Sequence, residues 1–81
     1  MDQQELLSTV LSTLTAIAPE VEADSLVADE PLREQVDLDS MDWLNFLIGL
    51  HQKLKVDIPE ADYAKLRTLN DVLGYLRAKV G

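Results

Sequence analysis

The chain has 81 residues, 47% of them hydrophobic and 27% charged, which predicts one small globular domain (1–81) and excludes a separate catalytic domain. It has no cysteine and one histidine, His51, which excludes disulfides, thiol nucleophiles and cysteine- or histidine-based metal sites. A net charge of −8 argues against binding nucleic-acid phosphates, and the absence of a membrane-spanning apolar run predicts a cytoplasmic protein without stable membrane insertion.

The first predicted helix covers residues 3–17, where apolar residues recur every three or four positions. Pro19 disfavours helical geometry in the residue before it and therefore ends this helix. Residues 19–39 are acidic and show no sustained period. Scattered apolar side chains in this long connection predict that it packs against the helices, with a short helical turn near Pro31–Glu34.

The second predicted helix covers about residues 40–54 and begins sharply. Asp39 fits the N-cap position, and Asp42 lies three residues later, as in a capping box. Leu38 and Trp43 occupy the two positions of a hydrophobic staple around this helix start.

A shorter third helix is predicted over Glu60–Leu66, because Pro59 is tolerated near a helix start. Thr68 and Asp71 form a further capping-box variant that begins the fourth predicted helix, about 69–79. The sequence therefore predicts an all-α, small four-helix bundle: three main helices, one short helix, and a long loop between the first and second.

The sequence predicts no enzyme, no catalytic residue and no metal site. A serine hydrolase needs a base next to its nucleophile, but His51 follows Ser40 by eleven positions on the same predicted helix, about 16 Å away. The acids around Asp39 lack the spacing of a calcium-binding EF-hand loop. What remains is Ser40 itself, whose hydroxyl is expected to be exposed at a helix start that tolerates a phosphate ester. Ordinary helix capping is the alternative explanation of this serine.

Nearly the whole chain resembles the acyl carrier protein family. The matching features are Asp39-Ser40-Met41 at the start of the second helix, Asp42, the Val56–Pro59 element and the Thr68-x-x-Asp71 start of the last helix. The resemblance implies that Ser40 carries 4'-phosphopantetheine, donated by coenzyme A through a phosphopantetheinyl transferase. It also implies that acyl groups are held as thioesters for partner enzymes of fatty-acid, lipid or polyketide biosynthesis.

The implied partners are acyl-loading and acyl-using enzymes with basic docking surfaces, met by a monomeric carrier. Residues 1–52 carry eleven acids and one base, Arg33, which suits such surfaces, although acidity also keeps a small domain in solution. Partner recognition is expected from residues around the serine: Asp39, Met41, Asp42, Trp43, Asn45 and Ile48.

Several alternatives stay open at the level of the sequence. Trp43 serves equally well as half of the hydrophobic staple, and Ile48 serves equally well in the core. This chain has Asn45 and His51 where family members usually have acids, and Trp43 where a smaller residue is usual, which favours a dedicated set of partners. A peptidyl or aryl carrier of non-ribosomal synthesis and an unmodified acidic helical adaptor are the alternative functions.

Overall fold

A computed structural model describes residues 2–80. Its α-helices are α1 (Gln3–Ile17), α2 (Leu32–Gln35), α3 (Ser40–Leu54) and α4 (Leu69–Val80). Two 3₁₀ helices cover Ala23–Ser25 and Glu60–Lys65. The first and second predicted helices, now α1 and α3, have the predicted bounds, and the predicted turn in the long loop is α2. The all-α bundle expected from the sequence is confirmed.

The third predicted helix is a 3₁₀ helix and ends at Lys65, one residue earlier than expected. Its hydrogen bonds span three residues: Asp62 N donates to Pro59 O at 2.9 Å, and Leu66 N donates to Tyr63 O at 3.1 Å. Such tight turns occur mainly in short connecting segments. The connection between α3 and α4 is therefore a 3₁₀ segment and not an α-helix; we call Glu60–Lys65 the strap.

The core forms where α1 packs against both α3 and α4. Phe46 is its largest fully buried side chain, with 0% exposure. The other fully buried large side chains are aliphatic and come from all three long helices and from α2: Leu6, Val10, Leu14, Leu32, Leu47, Leu50, Val72 and Leu76. No helix among residues 2–80 combines the length and apolarity needed to cross a bilayer.

The long loop is fixed by side-chain and backbone hydrogen bonds. Gln35 accepts from Val27 N at 2.6 Å and donates to Val27 O at 2.8 Å and Glu30 O at 2.9 Å. Leu32 N donates to Arg67 O at 2.9 Å, which ties α2 to the residues just before α4. The start of α3, which follows this loop, is thereby held in a defined position relative to the rest of the bundle.

Helices α1 and α3 approach each other closely at Gly49. A Cβ atom added there would lie 2.8 Å from Thr13 Cγ2, well inside the ordinary contact distance of about 3.5–4.0 Å. Thr13 cannot move aside easily, because it is 3% exposed and its hydroxyl donates to Thr9 O at 2.8 Å. Glycine at position 49 is therefore a packing requirement.

Gly49→Ala is expected to lower the free energy of unfolding by about 1 kcal/mol, because an overpacking cost of about 2 kcal/mol exceeds the helix-propensity gain of about 1 kcal/mol. Gly74→Ala is the matched control, since nothing lies within 4 Å of a Cβ atom there, and it should stabilise the chain instead. Urea unfolding checks both. In a Thr13→Ser background the clashing methyl is absent, so Gly49→Ala should then stabilise; continued destabilisation there would refute the close-packing explanation.

Candidate functional site

Ser40 is the first residue of α3, and Asp39 caps the helix in front of it. Asp39 has an extended backbone, and its Oδ1 accepts a hydrogen bond from Asp42 N at 2.8 Å. Ser40 is exposed, and its hydroxyl takes part in none of the side-chain hydrogen bonds found among residues 2–80. The capping role is thus filled by the neighbouring carboxylate, which leaves the serine hydroxyl free for a reaction.

The buried side chains of Leu38 and Trp43 attach the start of α3 to the core. These two side chains are 5% and 7% exposed, as expected for a hydrophobic staple. The Trp43 ring packs on the Phe46 ring, with centroids 5.2 Å apart. Both observations favour the staple as the role of Trp43, whose ring packs in the core next to the start of α3, while its expected contact with partner enzymes stays a prediction.

The other residues expected to recognise partners lie around Ser40 on the outside of α3. Met41 is 64% exposed and Ile48 is 40% exposed, although both are large and apolar. Asp39 and Asn45 are also exposed, and Asp42 is half-buried. Helical spacing of three and four residues places Met41, Asn45 and Ile48 on one face, which we call the α3 face.

The motif that singles out Ser40 occurs twice in the chain. Asp24-Ser25-Leu26 has the same Asp-Ser-Leu/Met pattern as Asp39-Ser40-Met41. Ser25, however, ends a three-residue 3₁₀ helix, and its hydroxyl donates to the Glu22 carboxylate at 3.5 Å. Only the later serine opens a long helix, so its position before an amphipathic segment distinguishes it from Ser25, which the motif alone does not.

Two open grooves flank the strap Glu60–Lys65, and Tyr63 lines both of them. The groove near the start of α3 has a volume of about 470 Å³, and Leu38, Trp43 and Arg67 contribute to its lining. The second groove, of about 420 Å³, is more apolar and lies between the strap and Ile48. The sequence did not predict either groove, because the strap and the two ends of α3 meet only in the folded chain.

The strap is fastened to α4 by a hydrogen bond from the Tyr75 hydroxyl to Asp62 Oδ2, 2.6 Å long. Lys65 Nζ lies 3.5 Å from Asp62 Oδ1. The Tyr75 hydrogen bond, helped by Lys65, lowers the pKa of Asp62. Conversely, the Asp62 carboxylate and partial burial raise the pKa of Tyr75 to about 12.

This pair predicts a defined pH dependence. The lowered pKa of Asp62 means that its stabilising contribution is present above pH 3.8 and is lost as the pH falls through the lowered value. The raised pKa of Tyr75 means that its contribution is present below pH 10 and is lost as the pH rises towards about 12. The difference in free energy of unfolding between the parent chain and Asp62→Asn should therefore be constant between about pH 3.8 and pH 10. It should become smaller below and above this range.

The titration of Tyr75 tests the pair directly. In a Tyr63→Phe background, Tyr75 is the single tyrosine, and its tyrosinate absorbance should appear with a pKa of about 12. Adding Asp62→Asn should return the pKa of Tyr75 towards about 10. Equal titration curves with and without the Asp62 carboxylate would contradict the hydrogen bond.

Comparison with known proteins agrees with this geometry. A family model described as the phosphopantetheine attachment site matches residues 5–76. The acyl carrier protein of Thermosynechococcus vestitus is 30% identical over 99% of this chain and 98% of its own length. That of Kineococcus radiotolerans is 31% identical over 89% of this chain and 93% of its own length.

A solved structure has the same fold. The solution structure of a provisionally assigned acyl carrier protein from Anaplasma phagocytophilum superimposes with a TM-score of 0.83 at 21% identity, covering 96% of this chain and 91% of that one. The family model spans most of the chain, and its members carry phosphopantetheine and act as carriers, not as enzymes. The chain belongs to the acyl carrier protein family.

Proposed function

We propose that Ser40 is the residue that carries phosphopantetheine in this acyl carrier protein. The observation that carries the proposal is the division of roles at the start of α3: Asp39 caps the helix, and the exposed Ser40 hydroxyl has no partner among residues 2–80. The site fits a phosphodiester, because the free N–H groups and the dipole of a 15-residue helix favour a negative charge there.

The modification is a phosphoryl-type transfer from coenzyme A. The Ser40 oxygen forms a bond to the phosphorus that bears the pantetheine group, and the bond from that phosphorus to the bridging oxygen of the diphosphate breaks. Adenosine 3',5'-bisphosphate leaves with the bond electrons, and a base of the transferase takes the serine proton. When bound, phosphopantetheine supplies the terminal thiol that this cysteine-free chain lacks and that forms thioesters with acyl groups.

The chain's own residues position this group and perform no reaction on the cargo. Leu38 and Trp43 are buried and hold the first turn of α3 on the core, while the side chain of Ser40 between them stays exposed. His51, the single histidine, lies eleven residues further along the same helix, about 16 Å from Ser40 along the helix axis. We therefore assign the acyl-transfer chemistry to partner enzymes.

The α3 face is our proposed docking surface for the transferase and for acyl-loading and acyl-using enzymes. Exposed Met41 and Ile48 supply apolar contacts, and exposed Asp39 supplies negative charge beside the serine. A partner surface with an apolar patch surrounded by basic residues complements the α3 face. Attraction between its positive charge and the negative charge of this chain speeds their association. We propose that the carrier acts as a monomer in the cytoplasm, where coenzyme A is available, in fatty-acid, lipid or polyketide biosynthesis.

Incubation of the unmodified chain with coenzyme A and a phosphopantetheinyl transferase of broad specificity tests this proposal. Mass spectrometry of the intact protein should show a gain of one phosphopantetheine group. Arg77→Gln, at an exposed position of α4 outside the α3 face, provides a folded variant that should still be modified. No gain with several competent transferases would favour the unmodified adaptor instead.

A further inference from the structure

We infer that the groove beside Ser40 selects acyl cargo that ends in a carboxylate; the inference rests on the proposed function of Ser40. The groove, which we call the arginine groove, has a volume of about 470 Å³ and is lined by Leu38, Trp43, Tyr63, Leu66, Arg33 and Arg67. Leu38 and Trp43, which lie two residues before and three residues after Ser40, belong to this lining, so the groove adjoins the start of α3.

Two arginines, Arg33 and Arg67, line this groove. Arg33 is the one base among residues 1–52, and the folded chain brings it together with Arg67 through the hydrogen bond from Leu32 N to Arg67 O. The ion pairs within residues 2–80 join Lys65 to Asp62 and His51 to Asp57, so neither arginine is neutralised by a carboxylate. Glu34 is the acidic residue of the lining, which leaves an excess of positive charge in a strongly acidic protein.

The arginine side chains retain free donors for a ligand. Arg33 Nε donates to Leu38 O at 3.4 Å, and the terminal N–H groups of Arg33 take part in none of the side-chain hydrogen bonds found among residues 2–80. Arginine pairs of this kind suit a planar carboxylate, to which a guanidinium can donate two parallel hydrogen bonds. Both side chains are exposed, so their contribution to binding is moderate and depends on salt.

The shape of the groove favours a cargo rather than a bare anion. Its volume falls within the range of small-molecule sites, about 300–1,000 Å³, and far exceeds the needs of one phosphate group. Leu38, Leu66 and the aromatic rings supply apolar walls for a short carbon chain, and the arginines supply a site for its charged end. Ser40 does not itself line the groove, so the phosphopantetheine arm has to fold back towards the groove for the acyl end of the cargo to reach the arginines.

The test compares two loaded forms of the whole chain. A transferase that accepts acyl-coenzyme A is used to attach succinyl-phosphopantetheine or butyryl-phosphopantetheine, which have equal carbon counts and differ in the terminal carboxylate. Complete loading is first verified by mass, because failure at that step contradicts the proposed function and not this inference. The succinyl form should then unfold about 4 °C above the butyryl form at low salt.

Arg67→Gln and Arg33→Gln should each reduce this difference, and the double variant should abolish it. Arg77→Gln, an exposed arginine of α4 outside the groove lining, is the matched control and should leave the difference unchanged. Equal midpoints for the two cargoes in the parent chain would overturn the inference. The inference would also be overturned if the succinyl form still unfolded above the butyryl form in the double variant. The same holds if the arginine substitutions shifted the midpoints of the succinyl form, the butyryl form and the form without an acyl group equally.

Discussion

Ser40→Ala is expected to abolish modification by a phosphopantetheinyl transferase while leaving the fold and its stability intact. The hydroxyl is exposed and makes no hydrogen bond within residues 2–80, so its removal should change the free energy of unfolding by less than about 0.5 kcal/mol. Intact mass after incubation with coenzyme A reports the modification, and thermal unfolding followed by circular dichroism reports the stability.

Two matched variants make this result specific. Asp39→Ala removes the carboxylate that caps α3 but is not the residue to be modified. This substitution should lower the free energy of unfolding by about 1 kcal/mol and the unfolding midpoint by about 4–8 °C. Ser25→Ala alters the second copy of the motif and should still be modified fully. Unfolding of the Ser40→Ala variant, with Asp39→Ala neutral, would instead assign the cap to the serine.

Phe46→Ala is expected to cause the largest loss of stability among single changes in the chain. The ring is completely buried on the inner side of α3 and packs on Trp43. Truncating such a residue costs about 3–5 kcal/mol, which corresponds to a midpoint lowered by more than about 12 °C in a domain of this size. Thermal unfolding measures the loss, and modification of Ser40 should fail at temperatures where the variant is unfolded.

A domain of this size has a total stability of only about 4–12 kcal/mol, so Phe46→Ala can unfold outright. Phe46→Leu keeps most of the volume and should cost about 1 kcal/mol, which remains measurable. Asn45→Ala, at the neighbouring exposed position, should change stability by less than about 0.5 kcal/mol. A loss for Phe46→Leu as small as that for Asn45→Ala would contradict the packing described here.

The parts of the fold that could be predicted from the sequence are those fixed by neighbouring residues. The start of α3 follows from Asp39, Asp42 and the staple of Leu38 and Trp43, all within six positions of one another. The amphipathic spacing that defines α1 and α3 is equally local. The structure confirms these bounds because each signal is satisfied by contacts along the same segment of chain.

Other features depend on residues that are distant in sequence. The strap over Glu60–Lys65 is held to α4 by Tyr75, and Gly49 is required by Thr13 on another helix. Arg33 and Arg67 meet in one groove although 33 residues separate them. No periodicity or capping pattern reports such contacts, which explains why the grooves were not predicted.

The candidate site shows the same division. The sequence indicated Ser40 through a local motif, but that motif also occurs at Ser25, and the hydrogen bond of Asp39 separates a capping residue from a free hydroxyl. Trp43 and Ile48 each fitted the core or the surface by spacing alone. The structure places Trp43 inside and leaves Ile48 40% exposed, because the staple turns the indole ring towards Phe46.

Peptide mapping of the modified chain tests the central claim most directly. Trypsin cleaves after Arg33 and Lys53, so Ser40 lies on a different peptide from the serines at positions 8, 12 and 25. After incubation with coenzyme A and a transferase, the peptide covering 34–53 should gain one phosphopantetheine group, and fragmentation should place it on Ser40. A gain on the 1–33 peptide, or none on either peptide with several competent transferases, would contradict the assignment of Ser40 as the attachment residue.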